Sequence, residues 1–171
     1  MSKIVKLAIF LGIICLISSA ALYYTNTVTA PIISENKRIA TEKLLKEIDP
    51  NASKFESKEV NKGSIVNEYD AEENGKVTLK IYEVSTYGFQ SQITILIAID
   101  TTNNQFKGFK VIEQAETSGY GTQITEDNDY TKQFNTKKIS DQIDVISGSS
   151  VTTSALNKAI EEAVTYYNEN K

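Results

Sequence analysis

The sequence predicts an α+β fold, with one antiparallel sheet flanked by helices behind an N-terminal transmembrane helix. Three observations lead there. Residues 7–24 contain no charged side chain and are mostly Leu, Ile, Ala and Phe, and roughly 18 such residues reach the lower limit for crossing a bilayer as a helix. Ile93, Ile95, Ile97 and Ile99 recur with the period of a strand. Apolar stripes at helical spacing occupy residues 34–48 and 152–167.

Composition narrows the chemistry. With 171 residues, 40% hydrophobic and 23% charged, the chain behind the apolar segment is long enough for one domain with a real core. Lys3 and Lys6 precede that segment, and the remainder carries a net charge of about −6. No basic stripe exists to neutralise phosphates, so a nucleic-acid partner is excluded. Histidine is absent and Cys15 is the single cysteine. Ser-His-Asp and Cys-His catalysis, zinc and Fe–S sites and internal disulfides are therefore excluded. The carboxylates show no EF-hand-like spacing. A borrowed cofactor or a partner must supply the chemistry.

Taken in order, Lys3 and Lys6 should hold the N-terminus in the cytoplasm, and Tyr23 and Tyr24 sit where an interfacial aromatic belt belongs. A cleaved signal peptide is the competing reading, because Ser18-Ser19-Ala20 has small-residue character, but the apolar run is longer than a signal core. Ile14 before Cys15 does not suit lipoprotein processing, and Cys15 reads as a small hydrophobe. Residues 1–24 are thus expected to be the cytoplasmic N-terminus and anchor. Residues 25–50 form an exit segment and helix, and residues 51–171 an extracytoplasmic domain. The polar run from Thr25 leads to Pro31, which can begin a helix. Ala40, Leu44, Leu45 and Ile48 form that helix's apolar stripe, and Pro50 and Asn51 stop it.

Residues 56–75 read as a polar loop with one short strand near Ile65 and Val66. Val77, Leu79 and Ile81 alternate as on a half-buried strand. The Ile93–Ile99 strand carries Thr94, Leu96 and Ala98 on its other face and should be central. Residues 100–105 turn the chain into a returning strand at 106–113. Residues 127–140 are polar, with Tyr130 and Phe134 as the anchors to the core. In the last helix Ala155, Leu156, Ala159, Ile160, Ala163, Val164 and Tyr167 form the buried stripe, and Glu161 and Glu162 should be solvated.

Two loops concentrate polar and glycine residues. Glu116-Thr117-Ser118-Gly119-Tyr120-Gly121-Thr122 allows a tight turn and close approach of backbone to a ligand; alone it reads first as a surface turn. Ser147-Gly148-Ser149-Ser150 precedes the last helix, where free N–H groups and the positive dipole end make an anion site. An N-cap with spare serines explains the same spacing.

Asp144, Ser147, Gly148 and Thr152 match the flavinylation motif Asp-x-x-Ser/Thr-Gly-Ala-Thr-x-Thr/Ser of the FMN-binding domain family, which this segment resembles. The Glu116–Gly121 stretch is similar to the family's Glu-Thr-Pro-Gly-Leu-Gly signature, and Tyr87-Gly88-Phe89 to a weaker third one. The N-terminal helix with Thr29-Ala30-Pro31 through Glu35-Asn36 resembles the RnfG proteins of Rnf electron-transport complexes, which are related to a flavoprotein component of sodium-translocating NADH:quinone reductases. The resemblance implies an anchored electron-carrying flavoprotein in a complex that couples ferredoxin/NAD electron transfer to ion translocation. Its partners would be the other membrane subunits of an Rnf-like complex, and it would turn over no substrate alone.

The resemblance also implies FMN attached through a phosphoester by a flavin transferase that uses FAD. By position the acceptor is Ser150, with Thr152 and Thr153 ranked behind it because Ser147-Gly148 fixes the register. Gly148, Ser149 and Thr152 would shape the phosphate loop. Glu116, Thr117, Gly119 and Gly121 would form the flavin pocket, with Tyr120 stacking on the ring. The departures are Ser149 for Ala, Ser150 for Thr, Ser118 for Pro and Tyr120 for Leu. A stand-alone membrane-anchored FMN-binding or sensor module is the alternative. A flavin-free anchored domain is a third reading, disfavoured by the coincidence of motifs.

Overall fold

The computed structural model describes residues 2–171, which divide between Ala40 and Thr41 into two compact units. Helix α1 spans Lys3–Ile48 without a break. It contains a window with mean hydropathy 2.4, long and apolar enough to cross a membrane. Phe10, Leu16, Leu22 and Tyr23 on this helix are all more than 60% exposed, an apolar surface of the kind that lipid or a partner covers.

The exit segment is helical too, correcting the expected break at residues 25–33. Pro31 lies inside the helix, where it removes one backbone hydrogen bond. The three threonines of the polar run satisfy themselves along the helix: the hydroxyls of Thr25, Thr27 and Thr29 donate to the carbonyls of Ala21, Tyr23 and Thr25 at 2.9, 2.8 and 2.9 Å. Such back-bonding lets polar residues continue a helix.

In the second unit, five antiparallel strands run in simple meander order: β1 (Lys54–Lys62), β2 (Ile65–Glu73), β3 (Lys76–Tyr87), β4 (Gln92–Asp100) and β5 (Gln105–Glu113). After the sheet come α2 (Gln123–Glu126), α3 (Asn128–Thr136) and α4 (Ser150–Asn170). The α+β expectation is met. β4 is an interior strand as expected: Ile97 pairs with Tyr82 on one side and Phe109 on the other, and every residue from Ile93 to Ile99 is buried.

Period-two alternation sends the sheet's side chains into two cores. On one face Tyr82, Val84, the four β4 isoleucines, Phe106 and Phe109 meet α3 and α4 through Tyr130, Phe134, Leu156, Ile160, Ala163 and Tyr167. Phe109 stacks on Phe134 with ring centroids 4.6 Å apart. On the other face Leu79, Ile81, Leu96 and Ala98 pack with Leu45, Leu44 and Ile48 of α1's last turns. A Cβ at Gly108 would lie 3.2 Å from Ile48 Cγ2, so a glycine admits that helix closely. In the α1 stripe Ala40 is exposed and Thr41 buried instead.

The region read as a loop at 56–75 is the hairpin β1–β2. It lacks an apolar alternation because β1 is an edge strand, mostly exposed. Polar residues on β2 and β3 pair with each other: Lys80 bridges the 4%-exposed Glu68 and Asp70, the latter at 2.8 Å. Residues 127–140 contain α3, started by the Asp127 carboxylate accepting from the N–H groups of Asp129 and Tyr130; Tyr130 and Phe134 are its buried anchors. In α4, Ala155 and Val164 are half-buried and Glu161 is exposed. Glu162 is not fully solvated, because its carboxylate accepts the Ser64 N–H at 2.9 Å.

Candidate functional site

Three loops converge on one carboxylate. The Glu116 Oε1 accepts from the backbone N–H of Gln90 (2.9 Å) and Ser91 (2.7 Å) and from the Ser91 hydroxyl (3.2 Å). Its Oε2 accepts from the Phe89 N–H (3.2 Å) and the Thr152 hydroxyl (2.9 Å). The side chain thereby ties the β3–β4 turn and the start of α4 to the loop after β5. Glu116 is 7% exposed. Burial pushes its pKa up, but the hydrogen bonds from Ser91, Gln90, Thr152 and Phe89 favour the charged form more, and the net shift is downward.

Two glycines make room for it. A Cβ at Gly121 would collide with Glu116 Oε2, and one at Gly88 would lie 2.8 Å from Oε1. The glycines of two separate sequence motifs are therefore explained by the same carboxylate. Gly119 serves differently: its φ of +77° forms the third position of a turn closed by the Tyr120 N–H donating to the Thr117 carbonyl at 3.1 Å. This is the position where a type II turn needs positive φ. Ser118 occupies the second position, which favours proline.

The loop before α4 is pinned at its base. Lys137 Nζ reaches the Asp144 carboxylate at 2.7 Å, and Ile146 is buried with its N–H donating to Thr153 Oγ1 at 3.3 Å. The chain then turns, with the Ser149 N–H donating to the Ile146 carbonyl at 3.1 Å and Gly148 at φ +83°. Beyond the turn a cavity of ≈ 380 Å³ opens, lined by Phe89, Thr117, Tyr120, Gly121, Gly148, Ser149, Ser150, Val151 and Thr152.

Seven sequence-predicted residues thus share one cavity: Thr117, Tyr120, Gly121, Gly148, Ser149, Ser150 and Thr152. Glu116 lies beneath it as a clip rather than in its wall, and Gly119 and Ser147 are outside the lining. Sequence reasoning missed Phe89 and Val151 as site residues. The similarity of Tyr87-Gly88-Phe89 to a family signature was the available signal for Phe89.

The hydroxyls at the α4 start differ sharply. Ser150 is exposed. Thr152 is 1% exposed and bonded to Glu116; Thr153 is fully buried, donating to the Ser149 carbonyl at 2.9 Å. Ser149 Oγ is buried without a hydrogen-bond partner, and its side chain makes no capping bond. An unpaired buried hydroxyl costs about 1–3 kcal/mol. Phe89 and Tyr120 are 71% and 63% exposed, aromatic walls left largely open. An exposed nucleophilic hydroxyl, an uncapped helix start, an orphaned donor and two aromatics suit a planar aromatic ligand bearing a phosphate.

Comparison with known proteins agrees with the geometry. Residues 88–165 match the family model of the FMN-binding domain, and residues 1–48 that of the RnfG N-terminal region. The chain is 28% identical to the G subunit of an ion-translocating oxidoreductase complex from Methanosarcina acetivorans, over 96% of this chain and 94% of that protein. It is 25% identical to the G subunit of the complex of the same name from Stutzerimonas stutzeri, over 93% and 78%. The G subunit of a proton-translocating ferredoxin:NAD(+) oxidoreductase complex from Clostridium ljungdahlii is 25% identical over 90% and 86%.

Proposed function

The chain belongs to the FMN-binding domain family, in the branch that carries an RnfG N-terminal region, and on that premise we propose that it is the electron-carrying flavoprotein subunit of an ion-translocating membrane oxidoreductase. The similarity to three G subunits of such complexes, over at least 90% of this chain, supports an electron-transport role within a complex. The other membrane subunits of that complex are its partners.

The single observation that carries the cofactor reading is the ≈ 380 Å³ cavity at the α4 start, where Ser150 is exposed between two aromatic-bearing loops. Ser150 is the proposed phosphoester attachment point, loaded by a flavin transferase. Its rivals Thr152 and Thr153 are buried and already hydrogen-bonded, which supports the choice. The uncapped first turn of α4 faces a phosphate favourably. Phe89 and Tyr120, both in the cavity lining, would hold the isoalloxazine ring. Glu116 is outside the cavity lining; it positions the Phe89 loop and α4 relative to each other. FMN, when bound, supplies the redox chemistry, and the protein sets its position and surroundings.

The long apolar stretch of α1 supports a retained membrane anchor, and Lys3 and Lys6 support a cytoplasmic N-terminus with the FMN-binding domain outside. Purifying the tagged full chain from membranes in mild detergent tests the assembly. Several membrane subunits should accompany it, whereas a chain that always emerges alone would favour a stand-alone module. Protease added outside intact cells or spheroplasts should cut the domain; protection of the domain there would reverse the sidedness.

A further inference from the structure

The segment that leads to Ser150 is fastened by side chains rather than by a sheet or a helix. Residues 142–149 belong to no regular element, yet their backbone groups need partners. The Gln142 carbonyl accepts from Lys137 Nζ at 2.7 Å, and the Ile143 carbonyl from Asn157 Nδ2 at 2.8 Å. At Asp144 one amide takes both backbone groups: Gln133 Oε1 accepts the Asp144 N–H at 2.8 Å, and Gln133 Nε2 donates to the Asp144 carbonyl at 3.4 Å. A paired residue on an antiparallel strand would make the same exchange. Gln133 is half-buried on α3, where the adjacent Phe134 stacks on Phe109 in the core, so it joins the loop to the fixed part of the domain. The Lys137–Asp144 ion pair is the weaker tie, since the Asp144 side chain is 78% exposed and such pairs contribute little.

We propose that Gln133 is a positioning residue for flavin attachment, holding the Asp144 backbone so that a flavin transferase meets Ser150 on a loop already in place. The inference rests on the covalent reading above. In the transfer the Ser150 oxygen bonds to the FMN-side phosphorus of FAD and the bond from that phosphorus to the bridging oxygen breaks. AMP departs with the bridging oxygen, and the hydroxyl proton is released. Such a displacement needs its nucleophile in a fixed place. Between Asp144 and Ser150 the chain is tied by the Ile146 N–H to Thr153 and by the Ser149 N–H to the Ile146 carbonyl. Both bonds lie on the α4 side of Asp144, and Gln133 fixes the other end. Segments without regular structure open at small free-energy cost, so one amide with two bonds decides how far the closed loop predominates. Gln133 is outside the cavity lining and acts through the loop.

The full-length chain is purified in detergent from cells without a transferase, as wild type, Gln133→Met and Lys132→Met, and incubated with FAD and purified flavin transferase. Gln133→Met keeps the side-chain length but makes neither bond; Lys132, exposed on the same helix, is the control. Before FAD is added, hydrogen exchange in residues 142–146 should quicken about tenfold in Gln133→Met, with β4 unchanged. The transferase KM for the chain should rise about threefold or more at unchanged kcat, because only the closed loop is a substrate. Lys132→Met should match wild type in both measurements. Unchanged KM, a fall in kcat alone, equal loss of protection in β4, or the same changes in Lys132→Met would overturn the proposal. A wild-type chain that takes no covalent flavin would sink the attachment reading and the proposal with it. A wild type that is loaded leaves that reading standing, whichever way Gln133→Met behaves.

Discussion

Replacing Glu116 with glutamine should disconnect the three loops that form the cavity while hardly changing side-chain size. The carboxylate accepts three backbone N–H and two hydroxyl hydrogen bonds. An amide has only one oxygen, and its NH2 must face either the Gln90 and Ser91 N–H groups or that of Phe89. The second choice is milder, since the Thr152 hydroxyl can rotate to accept, yet it still sets one buried N–H against another donor. One unsatisfied donor at about 1–3 kcal/mol, with weakened charge assistance at the rest, gives an expected loss of about 2–4 kcal/mol. A domain of this size shifts by roughly 2–4 °C per kcal/mol, so the thermal midpoint read by circular dichroism should fall by about 4–16 °C. The pH profile adds a second signature. Glu116 titrates below its ordinary value in the fold, so its contribution is complete above the unfolded carboxylate pKa and fades as pH falls through the folded one. Wild type should therefore lose stability on acidification below about pH 4.5, and Glu116→Gln should lose less over that window. Equal melting points at pH 7, or equal acid sensitivity, would refute the clip.

Further perturbations separate backbone, core and site. Gly121→Ala places a Cβ against the Glu116 carboxylate and should destabilise by about 1–3 kcal/mol, read as a lower urea midpoint. Ser118→Pro, at the second position of the Thr117–Tyr120 turn, should instead raise the melting point by the equivalent of about 0.4–1 kcal/mol through the unfolded state. Lys80→Met strands Glu68, whose side chain is 5% exposed, and should cost about 3–5 kcal/mol in urea unfolding.

What the sequence made legible follows from the range of the interactions involved. The charge-free run in α1, the isoleucine alternation of β4 and the stripe of α4 are local patterns, and each produced its element. The β1–β2 hairpin was invisible because its residues are satisfied across strands: Lys80 sits 12 and 10 residues from Glu68 and Asp70. The continuity of α1 through Pro31 was hidden for the opposite reason, since threonines that normally signal a linker bond back onto the helix. At the site, loop composition and motif likeness gathered seven lining residues. The job of Glu116 was not readable, because its partners lie 25 to 36 residues away. Nor could composition tell that of four neighbouring hydroxyls one is exposed, one orphaned and two engaged.

Attachment of flavin at the α4 start is decided by peptide mapping of the full chain after co-expression with a flavin transferase and denaturation. Flavin fluorescence should stay with the polypeptide, mass spectrometry should locate the adduct on Ser150, and Ser150→Ala should yield a colourless denatured chain. An adduct on Thr152 or Thr153, or a wild-type chain that loses all its flavin on denaturation, would show that the exposed serine is not the acceptor.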